Sequence, residues 1–183
     1  GGVTLGRPYV SGGFSVAANG AFAYSAGSST RPADVGVGRG SRATRRITDL
    51  NTDLLGHKSI GAAEEIRWQS SADGLEIQGW IVKPPDFSPT VKYPLILSIH
   101  GGPHVMWSRH EPTMWHEWQV LAARGYVVFA CNPRGSDGYG QDFRAATLGR
   151  WGEADLPDLQ AGIEQVVAQG YVDPERLVIT GGS

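Results

Sequence analysis

The sequence predicts an α/β protein, a mostly parallel sheet covered by helices and preceded by a small all-β unit. Three observations predict it. From Leu95 onward, apolar runs and helical periods alternate as strand, helix, strand, helix, strand, the pattern of parallel strands joined by right-handed crossovers. Glycine-rich loops follow three of those strands, at Gly101-Gly102, Gly135 to Gly140 and Gly181-Gly182, where the crevices of such sheets lie. Residues 1 to about 62 have no helical period and hold short β-like runs among many Gly, Ser, Ala and Thr.

Composition narrows the class. The 183 residues are 40% apolar with six Trp, enough for a core, and 16 basic against 18 acidic side chains leave a net charge of −2. That balance gives no reason to expect nucleic acid as a partner. No run approaches the length of a membrane span, and the N-terminus has no signal-peptide pattern. The single cysteine, Cys131, excludes an internal disulfide and fits a reducing, cytoplasmic setting. There is no starting Met, and the last residue is Ser183, so the chain reads as an internal segment of a longer protein.

The first unit, residues 1–62, offers strands at Phe14–Ala18, Ala21–Ser25, Asp34–Val37 and Arg45–Asp49. Asn19-Gly20 is its best two-residue hairpin signal. Four short strands in about 40 residues match one blade of a β-propeller, the alternative being a loose meander packed on the second unit. Leu50–Ala62 reads as a linker.

The second unit, residues 63–183, begins with strands at Glu65–Gln69 and Leu75–Val82, turned by Ser71-Ala72-Asp73-Gly74. Leu95–Ile99 is a nearly continuous apolar run, as in a strand buried on both faces. A helix is predicted from Pro112 to Arg124, with Pro at its first position and Gly125 as its stop. Trp115, Trp118, Leu121 and Ala122 should face the sheet. Tyr126–Ala130 is the next strand, and a short helix follows at Gln141–Leu148. Asp155 is placed to cap a helix with Leu156, Leu159, Ile163, Val166 and Val167 on one face. Asp173-Pro174 turns the chain into a short buried strand, Leu177–Ile179.

That strand runs into Gly181-Gly182-Ser183, the left half of a Gly-x-Ser-x-Gly nucleophile elbow, in which the glycines permit a sharp reversal that holds the serine oxygen at the sheet edge. Acyl transfer by serine needs a general base, an orienting carboxylate and oxyanion donors. The candidates are Ser183 as nucleophile, Gly102 N–H as one oxyanion donor, and Gly101 as the residue shaping that loop.

Acid and base follow the serine in this topology, so none of His57, His100, His104, His110 and His116 is expected to be the base. Pro103 and the glycines rule out a helical metal pair at His100 and His104, and no third ligand has a convincing spacing; no metal is expected. Cys131 reads as a small apolar filler. Asp137, Asp142, Asp155 and Asp158 read as caps, turn residues and surface charges, and Arg134 as a structural anchor with a carboxylate partner.

Four stretches together resemble the catalytic domain of the prolyl oligopeptidase family of serine peptidases. They are His100-Gly101-Gly102-Pro103-His104; Asn132-Pro133-Arg134-Gly135-Ser136-Asp137-Gly138-Tyr139-Gly140 with Phe143; Trp151-Gly152 with Asp155 and Asp158; and Asp173-Pro174-Glu175-Arg176 leading to Gly181-Gly182-Ser183. The His-Gly-Gly-Pro form looks most like the acylaminoacyl-peptidase branch. The resemblance implies an α/β-hydrolase fold, here its N-terminal part, preceded by the last blade of a β-propeller. It implies Ser183 as nucleophile and Gly102 as oxyanion donor, with the Asp and His of the triad beyond this chain and no cofactor.

The partners it implies are a short peptide substrate and the remaining part of the same protein, with a homo-oligomer left open and no nucleic acid or membrane. The expected activity is release of N-acylated amino acids; dipeptidyl or prolyl cleavage, a carboxylesterase and a non-catalytic interaction protein are the alternatives. Without its base, the segment alone is expected to be inactive.

Overall fold

The computed structural model describes residues 9–40 and 43–182. The chain builds two sheets. Strands β1 (Tyr9–Val16), β2 (Ala21–Ser28), β3 (Arg31–Arg39) and β4 (Arg45–Arg46) form an antiparallel sheet in sequential order. The Asn19-Gly20 hairpin forms, but with a different turn. Gly20 N–H donates to Ala17 O and Ala17 N–H to Ala21 O, with Gly20 at φ +76°. Among the described residues only glycines have positive φ. Asn19 therefore cannot serve in the mirror-image two-residue turn, and the loop is the three-residue kind that ends in a left-handed glycine. The glycines of β3 answer the aromatics of β2: Gly36 pairs with Tyr24 and Gly38 with Phe22, and a Cβ on either would collide with the ring opposite.

Buried Asp34 ties the following chain to β3. It accepts from Arg31, Arg46, Thr48 Oγ1 and Leu50 N–H. Burial works against its charge, but these bonds outweigh it and leave the carboxyl below its ordinary range. The stretch expected to be a plain linker contains one helical turn, α1 (Thr52–Leu55).

The second sheet holds β5 (Ala63–Gln69), β6 (Glu76–Val82), β7 (Tyr93–Ile99), β8 (Val127–Asn132) and β9 (Val172–Gly181), in the order β5-β6-β8-β7-β9. Only β8-β7 and β7-β9 are parallel; β5-β6 and β6-β8 are antiparallel. The sheet is thus mixed rather than mostly parallel, because the tight turn at Ser70–Leu75 folds β6 back on β5. Successive residues of β8 go to opposite faces, both covered. Val127, Phe129 and Cys131 pack with Trp68, Ile77, Leu159 and Val166. Val128 and Ala130 pack with Trp80, Trp107, Trp118 and Ala122. Each large side chain buried this way contributes about 1.5–3 kcal/mol.

Helix α2 (Trp115–Ala123) begins three residues after Pro112. Glu111 takes the N–H and hydroxyl of Thr113, which closes a separate turn first. The predicted stop holds: Gly125 N–H bonds Ala122 O, Tyr126 N–H bonds Leu121 O, and Gly125 has φ +87°, a Schellman end. Trp118 and Ala122 face the second sheet. Trp115 does not; its indole N–H donates to Ser29 O, and Gln119 donates to the same carbonyl. With Ser29 N–H donating to His110 Nδ1 at 2.8 Å, these bonds fasten the β2-β3 hairpin to α2.

Helices α3 (Gln141–Ala145) and α4 (Leu156–Val167) follow β8. Asp155 stands at the cap position of α4, but its carboxylate turns back to Gly152 N–H at 2.7 Å. Leu156 is exposed and does not join the apolar face of α4. Asp173–Arg176 bulges out of β9, since Val172 pairs with Tyr93 but Leu177 with Leu95. The expected buried strand Leu177–Ile179 forms, yet these residues are 44, 47 and 67% exposed, because β9 is the edge strand among the described residues. No helix among them is long and apolar enough to cross a membrane.

Candidate active site

Three loops meet at the carboxyl ends of β7, β8 and β9, and hydrogen bonds tie the first two together. His100 Nε2 lies 3.0 Å from Ser136 Oγ and its Nδ1 2.9 Å from Gly101 O. The Ser136 hydroxyl gives its one proton to Pro133 O at 2.7 Å, so its oxygen accepts from His100 Nε2–H. His104 Nδ1–H donates to Gly135 O at 2.8 Å. Asp137 N–H donates to Val105 O, and the Asn132 amide brackets the Trp107 backbone, accepting from its N–H and donating to its carbonyl. These bonds are why the histidines sit in the loop: both tie the strand-end loops together. Asn132 and Ser136 have no role assigned from sequence. A polar residue closing the apolar run Val127–Cys131 was the available signal for Asn132.

Gly101 and Gly102 are described, and Ser183 lies outside the described residues. Gly101 lines an open hollow of about 580 Å³ with Ile99, His100, Trp151, Ile179, Thr180, Gly181 and Gly182; Gly102 is not on its wall. Gly102 takes φ +123°, and a Cβ there would come within 2.9 Å of His104 N. The need for glycine in the turn thus rests on Gly102, where the sequence reading puts it on Gly101. Neither amide N–H donates a hydrogen bond among the described residues. A second hollow of about 540 Å³ is lined from the far end of the same loop, by Met106 to His110, together with Trp80, Tyr139 and Ser28 of the first sheet.

Below the loops lies an ion pair that anchors the loop after β8. Asp158, read from sequence as a cap or surface charge, is completely buried. Its carboxylate accepts from Arg134 N–H at 2.8 Å and from the guanidinium at 2.9–3.1 Å. The other edge of the guanidinium reaches Asp73 at 2.9 Å, and Ser70 Oγ at 3.0 Å. Arg134 is the anchor its sequence context suggests. Its hydrogen bonds to Asp73 and Asp158 hold the guanidinium more firmly protonated, and in turn hold the Asp73 carboxyl down to about 2. Burial pushes the Cys131 thiol up, and the nearby Asp158 adds to that. The thiol is no nucleophile in the folded state. No cluster of three or more metal-ligating side chains occurs among the described residues.

Residues 112–183 match the model of the prolyl oligopeptidase family. An uncharacterized peptidase, YuxL of Bacillus subtilis (strain 168), is 41% identical over 140 residues, 76% of this chain and 21% of that protein. Dipeptidyl-peptidase 5 of Schizosaccharomyces pombe is 37% identical over 142 residues, 75% of this chain and 20% of its own. The structure of Pyrococcus horikoshii acylaminoacyl peptidase superposes with a TM-score of 0.85 at 31% identity, over 98% of this chain and 28% of that one. The chain spans about a fifth of the length of these curated relatives.

Proposed function

We propose, from the premise that this chain belongs to the prolyl oligopeptidase family, that it carries the nucleophile and half of the oxyanion site of a serine peptidase acting on short peptides. The observation that carries the reading is the convergence of the β7, β8 and β9 loops, with Gly101 and Gly182 on one hollow and the N–H groups of Gly101 and Gly102 donating to nothing among the described residues. In this reading Ser183 attacks the substrate carbonyl. Negative charge then grows on the carbonyl oxygen, where Gly102 N–H, aided by the turn at Gly101, stabilises it; one such donor is worth roughly 3–4 kcal/mol in the transition state. The orienting carboxylate and the base belong to the rest of the protein.

Residues 63–183 are then the first part of an α/β-hydrolase domain, supported by the strand order β5-β6-β8-β7-β9. Residues 1–62 are the last blade of a β-propeller, supported by four antiparallel strands in sequential order. A cytoplasmic setting is part of the proposal and rests on the single unpaired cysteine. For the substrate, the acylaminoacyl peptidase structure at TM-score 0.85 favours N-acylated peptides. The dipeptidyl-peptidase 5 relatives favour removal of dipeptides from a free N-terminus.

The full-length protein, treated with a serine-reactive phosphonate, should gain one adduct that maps to Ser183 and is lost in Ser183→Ala. N-acetylaminoacyl and free dipeptidyl p-nitroanilides then separate the two substrate readings. A full-length protein that takes no adduct and cleaves neither substrate is an interaction protein on a hydrolase scaffold. An adduct with ester turnover alone marks a carboxylesterase.

A further inference from the structure

We propose that Arg134, clamped between Asp158 and Asp73, is a positioning residue for the oxyanion loop, acting through Ser136 on His100 and through Gly135 on His104. The inference rests on the oxyanion reading of the Gly101-Gly102 loop. That loop is exposed at Gly102, and its glycines give it no side-chain packing of its own. Its two flanking histidines are bonded instead to consecutive residues, Gly135 and Ser136, and Arg134 directly precedes these.

The Asp158 carboxylate holds Arg134 twice, by its main-chain N–H and by its guanidinium, so the backbone entering Gly135 is fixed from the buried side. Gly135 is held again by donating to Phe143 O at 2.8 Å, and at φ +100° its Cα lies so near Thr147 that a Cβ would clash. Ser136 Oγ is only 2.7 Å from Pro133 O, within the same turn. The result is a rigid seat, built on α4 and the β5-β6 turn, on which the two histidines rest. Oxyanion donors must be aimed at the transition state beforehand, and a displacement of about 1 Å can cost 10²-fold in rate. Lysine cannot replace this fork, since it offers a point charge where Arg134 spans two carboxylates.

The test uses the full-length protein with Arg134→Lys and Ser136→Ala, the second leaving the ion pair whole. For wild type and variants one measures labelling of Ser183 by a phosphonate, kcat and KM on a cleaved peptide, affinity for a peptide aldehyde that forms a tetrahedral adduct, and the melting temperature. Both variants should lose about tenfold or more in kcat and a similar factor in aldehyde affinity, with KM within about twofold. The double variant should lose less than the product of the two. A lower melting temperature with kcat and aldehyde affinity unchanged would show that Arg134 only stabilises the fold. Should Arg134→Lys fail to fold, unchanged kcat in Ser136→Ala overturns the proposal alone, and its loss supports it. A wild type not labelled at Ser183 removes the oxyanion reading and this inference together, and so differs from failure of the positioning step.

Discussion

The indole N–H of Trp68 donates to the main-chain carbonyl of Asp158 at 2.9 Å, while the carboxylate of that aspartate grips Arg134. One residue in the first turn of α4 thereby joins β5, α4 and the loop that leaves β8. Removing the carboxylate leaves a guanidinium in a nearly buried site with Asp73 as its one remaining carboxylate and Ser70 Oγ beside it. Asp158→Ala should cost about 3–5 kcal/mol, the range for a broken buried pair. Urea unfolding of the full-length protein, followed by Trp fluorescence, measures it; a loss under about 1 kcal/mol would mean that water reaches and solvates Arg134.

Acid should weaken the opposite end of the same cluster. The Arg134 fork lowers the Asp73 carboxyl from its ordinary 3.8 to about 2, so the folded form binds its proton less readily than the unfolded form. The contribution to stability is therefore complete above about pH 5 and is lost as pH falls through about 4 towards 2. Asp73 is 52% exposed, so salt should shrink the effect. Stability of Asp73→Asn should vary less with pH over this window; an identical acid dependence would refute the coupling.

Gly162 sits in the buried face of α4, where an added Cβ would come within 2.7 Å of the Trp68 ring and 2.9 Å of the Phe129 ring. Alanine gains about 1 kcal/mol in helix propensity but overpacks the site by about 1–3 kcal/mol. Steric cost should win, and Gly162→Ala should lower the melting temperature. A rise would mean that the two rings can move apart.

Cys131 is 2% exposed and its thiol is pushed up by burial. Ellman's reagent should leave it untouched in the native protein and titrate one thiol for this segment in guanidinium. Rapid native labelling would show that β8 opens on the timescale of the reaction.

Much of the fold can be read locally. The apolar run at Leu95–Ile99, the turn at Ser71–Gly74 and the helix stop at Gly125 depend on near neighbours in the chain, and all three form. Features that depend on distant partners differ from expectation. Asp158 looks like a first-turn surface charge until Arg134, 24 residues away, and Trp68, 90 residues away, enclose it. Trp115 has the spacing of a sheet-facing residue, but the hairpin carbonyl of Ser29 lies 86 residues away in sequence. At Pro112 and Asp155 the local signal itself is ambiguous, because a turn residue and a helix start use the same side chains.

The sequence by itself carried the resemblance to the prolyl oligopeptidase family, the α/β class and the places of the glycine loops, because these rest on short motifs and on periodicity. Only the tertiary structure decided the strand order that sets β7 between β8 and β9, the fastening roles of His100 and His104, and the burial of the Arg134–Asp158 pair. Each of those is a contact between segments remote in sequence. Its energy depends on which groups lose water together, and that is defined only once the chain has folded.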